Sequence, residues 1–99
     1  MIVITGKFVL ATPPSDAVRQ AADEMMKASR AEAGCAHYAF AQDLGDPNVL
    51  WVTEEWTDEA ALGAHFQTPH MAAFQKVMAT LQITARSIKR YEVASAQPL

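Results

Sequence analysis

An apolar run that stops abruptly at two prolines sets the folding pattern of this chain. Residues 2–11 (IVITGKFVLA) are rich in β-branched and aromatic side chains with a single charge, which predicts a strand covered mostly on both faces. Thr12-Pro13-Pro14 ends this strand, because proline has no N–H to donate to a sheet. From Asp16 to Ala33 apolar residues recur at helical spacing, and Gly34 supplies the left-handed residue at which that helix should stop. The chain therefore begins with a strand and a helix.

The middle of the chain predicts a β-hairpin. Residues 35–42 (CAHYAFAQ) and 48–56 (NVLWVTEEW) have strand character, and the turn at 43–47 between them is short. Two strands joined in this way should pair antiparallel. Side chains alternate along a strand, so the second strand places four residues on one face: Leu50, Val52, Glu54 and Trp56.

The last part of the chain predicts a helix that is interrupted once, followed by a strand. Thr57 is placed to cap a helix that runs to His65. Thr68-Pro69 then restarts the helix, with threonine at the cap and proline at the first helical position. Residues 83–93 predict the final strand, and residues 94–99 a frayed tail.

The predicted order is β-α-β-β-α-β, which is that of the ferredoxin-like split βαβ arrangement in the α+β class. Its sheet is antiparallel, and the whole chain, 1–99, forms one domain with a core of about 2–93. Two helices can cover only one face of a four-stranded sheet. Since the first and third strands carry apolar residues on both faces, we expect a homodimer that pairs sheet against sheet.

Composition excludes several classes of function. The 99 residues include 8 Lys and Arg against 11 Asp and Glu, a net charge of −3, so there is no basic footprint for nucleic acid. No apolar run approaches the roughly 18 residues that a membrane span needs. No basic segment precedes the first apolar run, so no signal peptide is predicted. A single cysteine, Cys35, allows no internal disulfide. We therefore expect a cytoplasmic protein.

The histidines do not have the spacing of a metal motif. His65 and His70 are five residues apart, which is about 140° around an ideal helix, and Pro69 breaks the register between them. His37 lies on another element, and no Cys-x-x-Cys or His-x-x-x-His motif occurs. Four scattered glycines make no nucleotide-binding loop. The sequence thus predicts neither a metal site nor a cofactor.

Two other groups could carry chemistry, each with a structural alternative. Cys35 opens a strand and should share a face with His37, as a nucleophile or simply as a small buried residue. Glu54 lies on an apolar strand face, where a carboxylate must find a partner or stay protonated. His65 on the following helix is its nearest candidate donor. The pair is then either a structural hydrogen bond or a catalytic dyad.

The segment 64–71 (AHFQTPHM) places a helix start beside two histidines, and free N–H groups at a helix start suit an oxyanion such as a phenolate. Arg86 could hold an anionic oxygen if its strand register turns it inward, and is otherwise a solvated rim charge. Several aromatic residues could line a pocket or belong to the core: Tyr38, Trp51, Trp56, Phe66 and Phe74.

Two segments carry a family resemblance. Residues 34–38 (GCAHY) and 54–74 (EEWTDEAALGAHFQTPHMAAF) resemble the antibiotic biosynthesis monooxygenase (ABM) domain family, closest to its small bacterial quinol monooxygenases. The Glu-x-Trp followed by His-x-x-Thr-Pro-His is the more specific part. The resemblance implies a ferredoxin-like protomer whose sheets pair into a dimeric α+β barrel. It also implies oxygenation of a quinol-like or polyketide aromatic by O2 without flavin, haem or metal.

On this resemblance, His65 or His70 is the expected base, with Tyr38 and Arg86 as oxyanion partners. The expected pocket residues are Glu54, Trp56, Phe66, Phe74 and Trp51. Two other functions stay open at this stage. One is an isomerase or lyase of the same fold, which needs a polar pocket. The other is a non-catalytic dimeric module that binds a hydrophobic metabolite or acts in stress response.

Overall fold

The computed structural model describes all residues, 1–99, and contains a four-stranded antiparallel sheet with three helices. The strands are β1 (Ile2–Leu10), β2 (Cys35–Gln42), β3 (Val49–Trp56) and β4 (Ile83–Glu92), and the helices are α1 (Asp16–Arg30), α2 (Glu59–His65) and α3 (Pro69–Met78). The sheet order is β2-β3-β1-β4. This is the predicted α+β ferredoxin-like fold, with the second helix divided in two. Residues after Glu92 form no helix or strand.

Local sequence signals explain most of the helix boundaries. The Ser15 hydroxyl caps α1 by accepting from the Val18 N–H at 3.3 Å. Thr68 caps α3 and Pro69 follows at its first position, as predicted. The start of α2 was predicted one residue early, because Asp58, not Thr57, caps it. The end of α1 was predicted too late, since that helix stops at Arg30 and residues 31–34 form a turn.

The helices all lie on one face of the sheet. Register places Ile2, Ile4 and Phe8 of β1 on that face, opposite Trp56, Glu54 and Leu50 of β3. Helix α1 packs on β2 and α3, and α2 contacts β3. The core between helices and sheet is formed by seven buried residues: Ile2, Ala22, Met25, Tyr38, Trp56, Leu62 and Phe74. β4 is an edge strand whose side chains are mostly exposed.

Gly34 fixes the turn that returns the chain from α1 to the sheet. It is the one residue with positive φ, at 82°. A Cβ on Gly34 would lie 2.6 Å from the Ala61 Cβ and 2.8 Å from the Thr57 Oγ1, so the turn lies directly against the start of α2. Glycine is required here by backbone conformation and by space.

We predict that Gly34→Ala destabilises the fold by about 1–3 kcal/mol, because it combines left-handed strain with a clash. Gly63→Ala is the matched control: an added Cβ at this α2 position meets nothing within 4 Å. Alanine favours a helix, so the control should stabilise by up to about 1 kcal/mol. Urea unfolding of both variants measures the difference. A Gly34→Ala protein as stable as the wild type would contradict this account of the turn.

Candidate active site

A buried histidine lies at the centre of the candidate site. His65, the last residue of α2, is 1% exposed. Its ring centroid is 4.6 Å from that of Trp56 and 5.4 Å from that of Tyr38. Both aromatic side chains project from the sheet toward the helices, at the end of β3 and in the middle of β2. Two rings therefore fix the orientation of the His65 imidazole.

One carboxylate oxygen joins this histidine to a second one. Oε2 of Glu32 accepts a hydrogen bond from Nδ1 of His65 at 2.6 Å and from Nε2 of His70 at 2.9 Å. A carboxylate can only accept, so each imidazole donates its N–H to Glu32 and its other ring nitrogen is the basic one. We call these three residues, Glu32, His65 and His70, the histidine–carboxylate cluster.

The break between α2 and α3 brings the two histidines together. The Thr68 hydroxyl donates to the carbonyl oxygen of His65 at 2.7 Å and accepts from the Met71 N–H at 3.3 Å. The three residues of the break, 66–68, redirect the chain so that the His65 and His70 rings are 5.9 Å apart. The predicted separation of His65 and His70 was wrong, because it assumed one continuous helix, whereas the helix is interrupted between them.

Glu54 does not pair with His65, which the sequence had suggested as its nearest donor. Its Oε1 accepts from Nε1 of Trp56 at 3.0 Å, two residues along the same strand face. Burial raises the pKa of the Glu54 carboxyl above its ordinary value, while this hydrogen bond and nearby His65 act in the opposite direction. The Trp56 indole and the Glu54 carboxyl are thus hydrogen-bonded to each other beneath the cluster.

Tyr38 is the other buried acid of the site. Its ring contacts the His65 and Trp56 rings, and burial raises the pKa of its phenol far above the ordinary value, with the Glu54 charge adding to the effect. A phenol in this environment stays protonated, so its O–H is available to donate a hydrogen bond. This property suits the role of oxyanion partner that the sequence assigned to it.

The structure does not bring every predicted site residue to this place. Arg86 lies on the helix face of β4, at the opposite sheet edge from Tyr38, with its Cζ 5.1 Å from the Phe8 ring centroid. Trp51 points to the other face of the sheet, is 39% exposed and donates from Nε1 to Asp43 at 2.8 Å. Phe66 is 52% exposed beside His65. None of these three touches the Tyr38 side of the site.

Cys35 and His37 were predicted to share a face, and this prediction was wrong. A β-bulge between them pairs Cys35 with Trp56 and His37 with Glu55, which point to opposite faces. Burial raises the pKa of the Cys35 thiol, and the Glu32 charge adds to this shift. The raised pKa leaves less thiolate, so the structure gives no support for a nucleophile–base pair here.

His70 connects the cluster to an apolar cleft. It is 24% exposed at its side chain and lines a cleft of about 210 Å³ between α1 and α3. Phe74, predicted as a pocket residue, lines the same cleft. The remaining lining residues are mostly small or apolar: Ala21, Glu24, Met25, Ala28, Ala73 and Val77. A molecule in this cleft would therefore meet the His70 imidazole and the Glu24 carboxylate in surroundings that are otherwise apolar.

Glu32 is the residue that the sequence analysis missed. It follows the end of α1 by two positions, between Ala31 and Ala33, where its charge is typical of a solvated helix end. The only available signal was its position two residues before Gly34, where a turn carries the side chain toward α2. This signal cannot identify a partner 33 residues later in the sequence.

The geometry defines a ferredoxin-like α+β protein with a partly buried histidine–carboxylate cluster centred on the buried His65. None of its helices combines the length and apolar character needed to cross a membrane. A family model described as antibiotic biosynthesis monooxygenase matches residues 1–77. The chain belongs to this family, which confirms the resemblance seen in the sequence.

Two relatives and one solved structure are similar to this chain over most of its length. An uncharacterised protein of Synechocystis sp. is 31% identical over 98 residues, covering 99% of this chain and 67% of that protein. YcnE of Bacillus subtilis, named provisionally as a monooxygenase, is 31% identical over 74 residues, covering 75% of this chain and 78% of YcnE. A Deinococcus radiodurans crystal structure, also provisionally named an antibiotic biosynthesis monooxygenase, matches with a TM-score of 0.83 and 24% identity, over 100% of this chain and 98% of that one.

The raised pKa of Glu54 predicts that this carboxyl lowers the stability of the folded protein as the pH rises. The folded state holds this proton more tightly than the unfolded state, so the contribution of Glu54 to stability falls as the pH rises above about 4.5. Glu54→Gln keeps an acceptor for the Trp56 indole but cannot ionise. We expect its stability relative to the wild type to increase between pH 4 and pH 7.

Urea unfolding at several pH values measures this difference. Glu55→Gln is the matched control, because Glu55 is the next residue of β3 and points to the opposite face. A stability difference between Glu54→Gln and the wild type that stays constant from pH 4 to pH 7 would contradict the assignment.

Proposed function

We propose that this protein is a cofactor-independent monooxygenase that oxidises a small hydroquinone with O2, with His70 as the proton acceptor. The observation that carries the proposal is the Glu32 oxygen that binds both imidazoles at 2.6 and 2.9 Å, with one of them on an apolar cleft. Membership of the antibiotic biosynthesis monooxygenase family supports a monooxygenase-like role. The substrate and the mechanism are our inference.

The proton transfer follows from the hydrogen bonds of the cluster. His70 donates its Nε2–H to Glu32, so its Nδ1 is the nitrogen that can take a proton from a phenolic O–H. The Glu32 carboxylate then stabilises the imidazolium that forms, as an acidic partner does for other catalytic histidines. His65, buried between two rings, holds Glu32 in place from the other side. It is a positioning residue in this scheme.

Deprotonation makes the substrate electron-rich enough to reduce O2 itself. A hydroquinone and O2 give a hydroxyquinone and water: one oxygen atom enters the ring and the other leaves as water. The substrate supplies all the electrons, so no flavin, metal or external reductant is consumed. The protein contributes the base and surroundings that keep water away from the reacting anion.

The size of the cleft favours a substrate with one ring. An apolar cavity of about 150 Å³ holds benzene, so a cleft of about 210 Å³ accommodates a substituted single ring. The apolar lining also disfavours the isomerase or lyase alternative, which needs a polar pocket. Among the quinol-like and polyketide aromatics expected from the sequence, we therefore propose the hydroquinones.

A homodimer is part of this proposal. The sheet face without helices exposes Trp51, with the Lys7 ammonium 5.5 Å from its ring centroid, and a second copy could cover this face.

Arg86 has no role in the proposed proton transfer within one chain, because β1 and β3 separate its strand from that of Tyr38.

The base assignment predicts a large kinetic effect. His70→Ala should lower the rate of O2 consumption with methylhydroquinone by about a hundredfold or more, the usual contribution of a general base. The rate is measured with an oxygen electrode on chelator-treated protein, after subtraction of autoxidation in buffer. Gln75→Ala, at an exposed position of α3 outside the cleft, is the control and should keep full activity. Wild-type protein that adds nothing to the autoxidation rate would overturn the proposal.

The cleft itself is tested by a substitution that fills it. Ala73→Leu places three more carbon atoms in the α1–α3 cleft and should lower kcat/KM for methylhydroquinone by at least about tenfold. Ala72→Leu changes the neighbouring exposed position of α3 outside the cleft and should leave kcat/KM unchanged. Equal effects of the two substitutions would show that the substrate binds elsewhere.

A further inference from the structure

We propose that the histidine–carboxylate cluster binds one divalent transition-metal ion, of which Zn²⁺ is the simplest probe. Nδ1 of His65, Nε2 of His70 and a carboxylate oxygen of Glu32 all lie within 4.8 Å of one another. Two imidazoles and one carboxylate are a donor set that Zn²⁺ and other divalent ions of the first transition row accept readily. The proposal does not rest on the proposed function, which uses the same residues without an ion.

The donor atoms need only a small rearrangement to receive an ion. Bonds from Zn²⁺ to nitrogen and oxygen are about 2.0–2.2 Å, so tetrahedral donor atoms lie about 3.3 Å apart. The present separations from Oε2 of Glu32 are 2.6 Å to His65 and 2.9 Å to His70. An ion would replace the two N–H protons that now point at the carboxylate. The Glu32 side chain would move outward, and the two imidazole nitrogens, now within 4.8 Å of each other, would adjust to the tetrahedral spacing.

The three donors differ in burial and in how closely the surrounding side chains hold them. His65 is held between the Trp56 and Tyr38 rings, so one ligand is preorganised. Glu32 lies in the turn after α1, outside any helix or strand, and its side chain is partly exposed. His70 lies in the first turn of α3 at the cleft, so an ion can enter from that side.

The charge balance also favours a cation. The ion would meet one carboxylate directly, that of Glu32. This negative charge offsets part of the charge of a divalent ion, which reduces the cost of burying it. Three protein ligands leave the fourth position of a tetrahedral ion open to water or a substrate oxygen.

Titration of the full-length, chelator-stripped protein tests the proposal. Calorimetry with Zn²⁺ should show one ion per chain, and Co²⁺ should give the visible absorption of a tetrahedral site. His70→Gln, which removes a ligand at a partly exposed position, should weaken Zn²⁺ binding by at least about tenfold. His37→Gln is the control and should bind as the wild type does. Glu32→Gln gives a second ligand variant, with folding of each protein checked by circular dichroism.

Two results would overturn the proposal: no Zn²⁺ binding by the wild type, or equal binding by the wild type and His70→Gln. Both readouts are independent of O2 consumption. Failure of the metal site would leave activity of the chelator-treated enzyme intact, whereas failure of the proposed function would remove that activity and leave Zn²⁺ binding as predicted.

Discussion

The shared hydrogen bond of Glu32 to two histidines connects parts of the chain that are remote in sequence. Its carboxylate follows α1, His65 ends α2 and His70 begins α3. A partly buried carboxylate with these partners loses little by leaving water, because two N–H donors replace its hydration. The same contact fixes how the helical layer sits above Trp56 and Tyr38. Packing and site chemistry therefore depend on one group.

Most of the fold could be predicted from local sequence. The strand 35–42 was placed exactly, and the Thr68-Pro69 helix start was recognised, because caps and prolines act on their immediate neighbours. The shared face of Leu50, Val52, Glu54 and Trp56 follows from strand alternation and is confirmed by the register with β1. The end of α1 was placed too late because Gly34 follows a turn rather than the helix itself.

The site could be predicted only in part, because its geometry depends on irregularities. The break at residues 66–68 brings His65 and His70 to the same carboxylate despite their unfavourable helical spacing. The bulge after Cys35 places His37 on the other face of the sheet. Both are short local departures from ideal periodicity, and an analysis based on periodicity cannot place them. Glu32 escaped notice for a different reason: its partners are distant in the chain, and its neighbours are ordinary surface residues.

The Thr68 hydroxyl links the end of α2 to the start of α3 and thereby limits how the site can vary. It donates to the backbone of His65 and accepts from the first turn of α3, which carries His70. These two hydrogen bonds hold the two imidazoles at a fixed relative position. Serine could replace it, whereas a residue without a hydroxyl would free the angle between the helices. The separation of the two rings is thus set by backbone geometry, and it can change without any change in the residues that carry the chemistry.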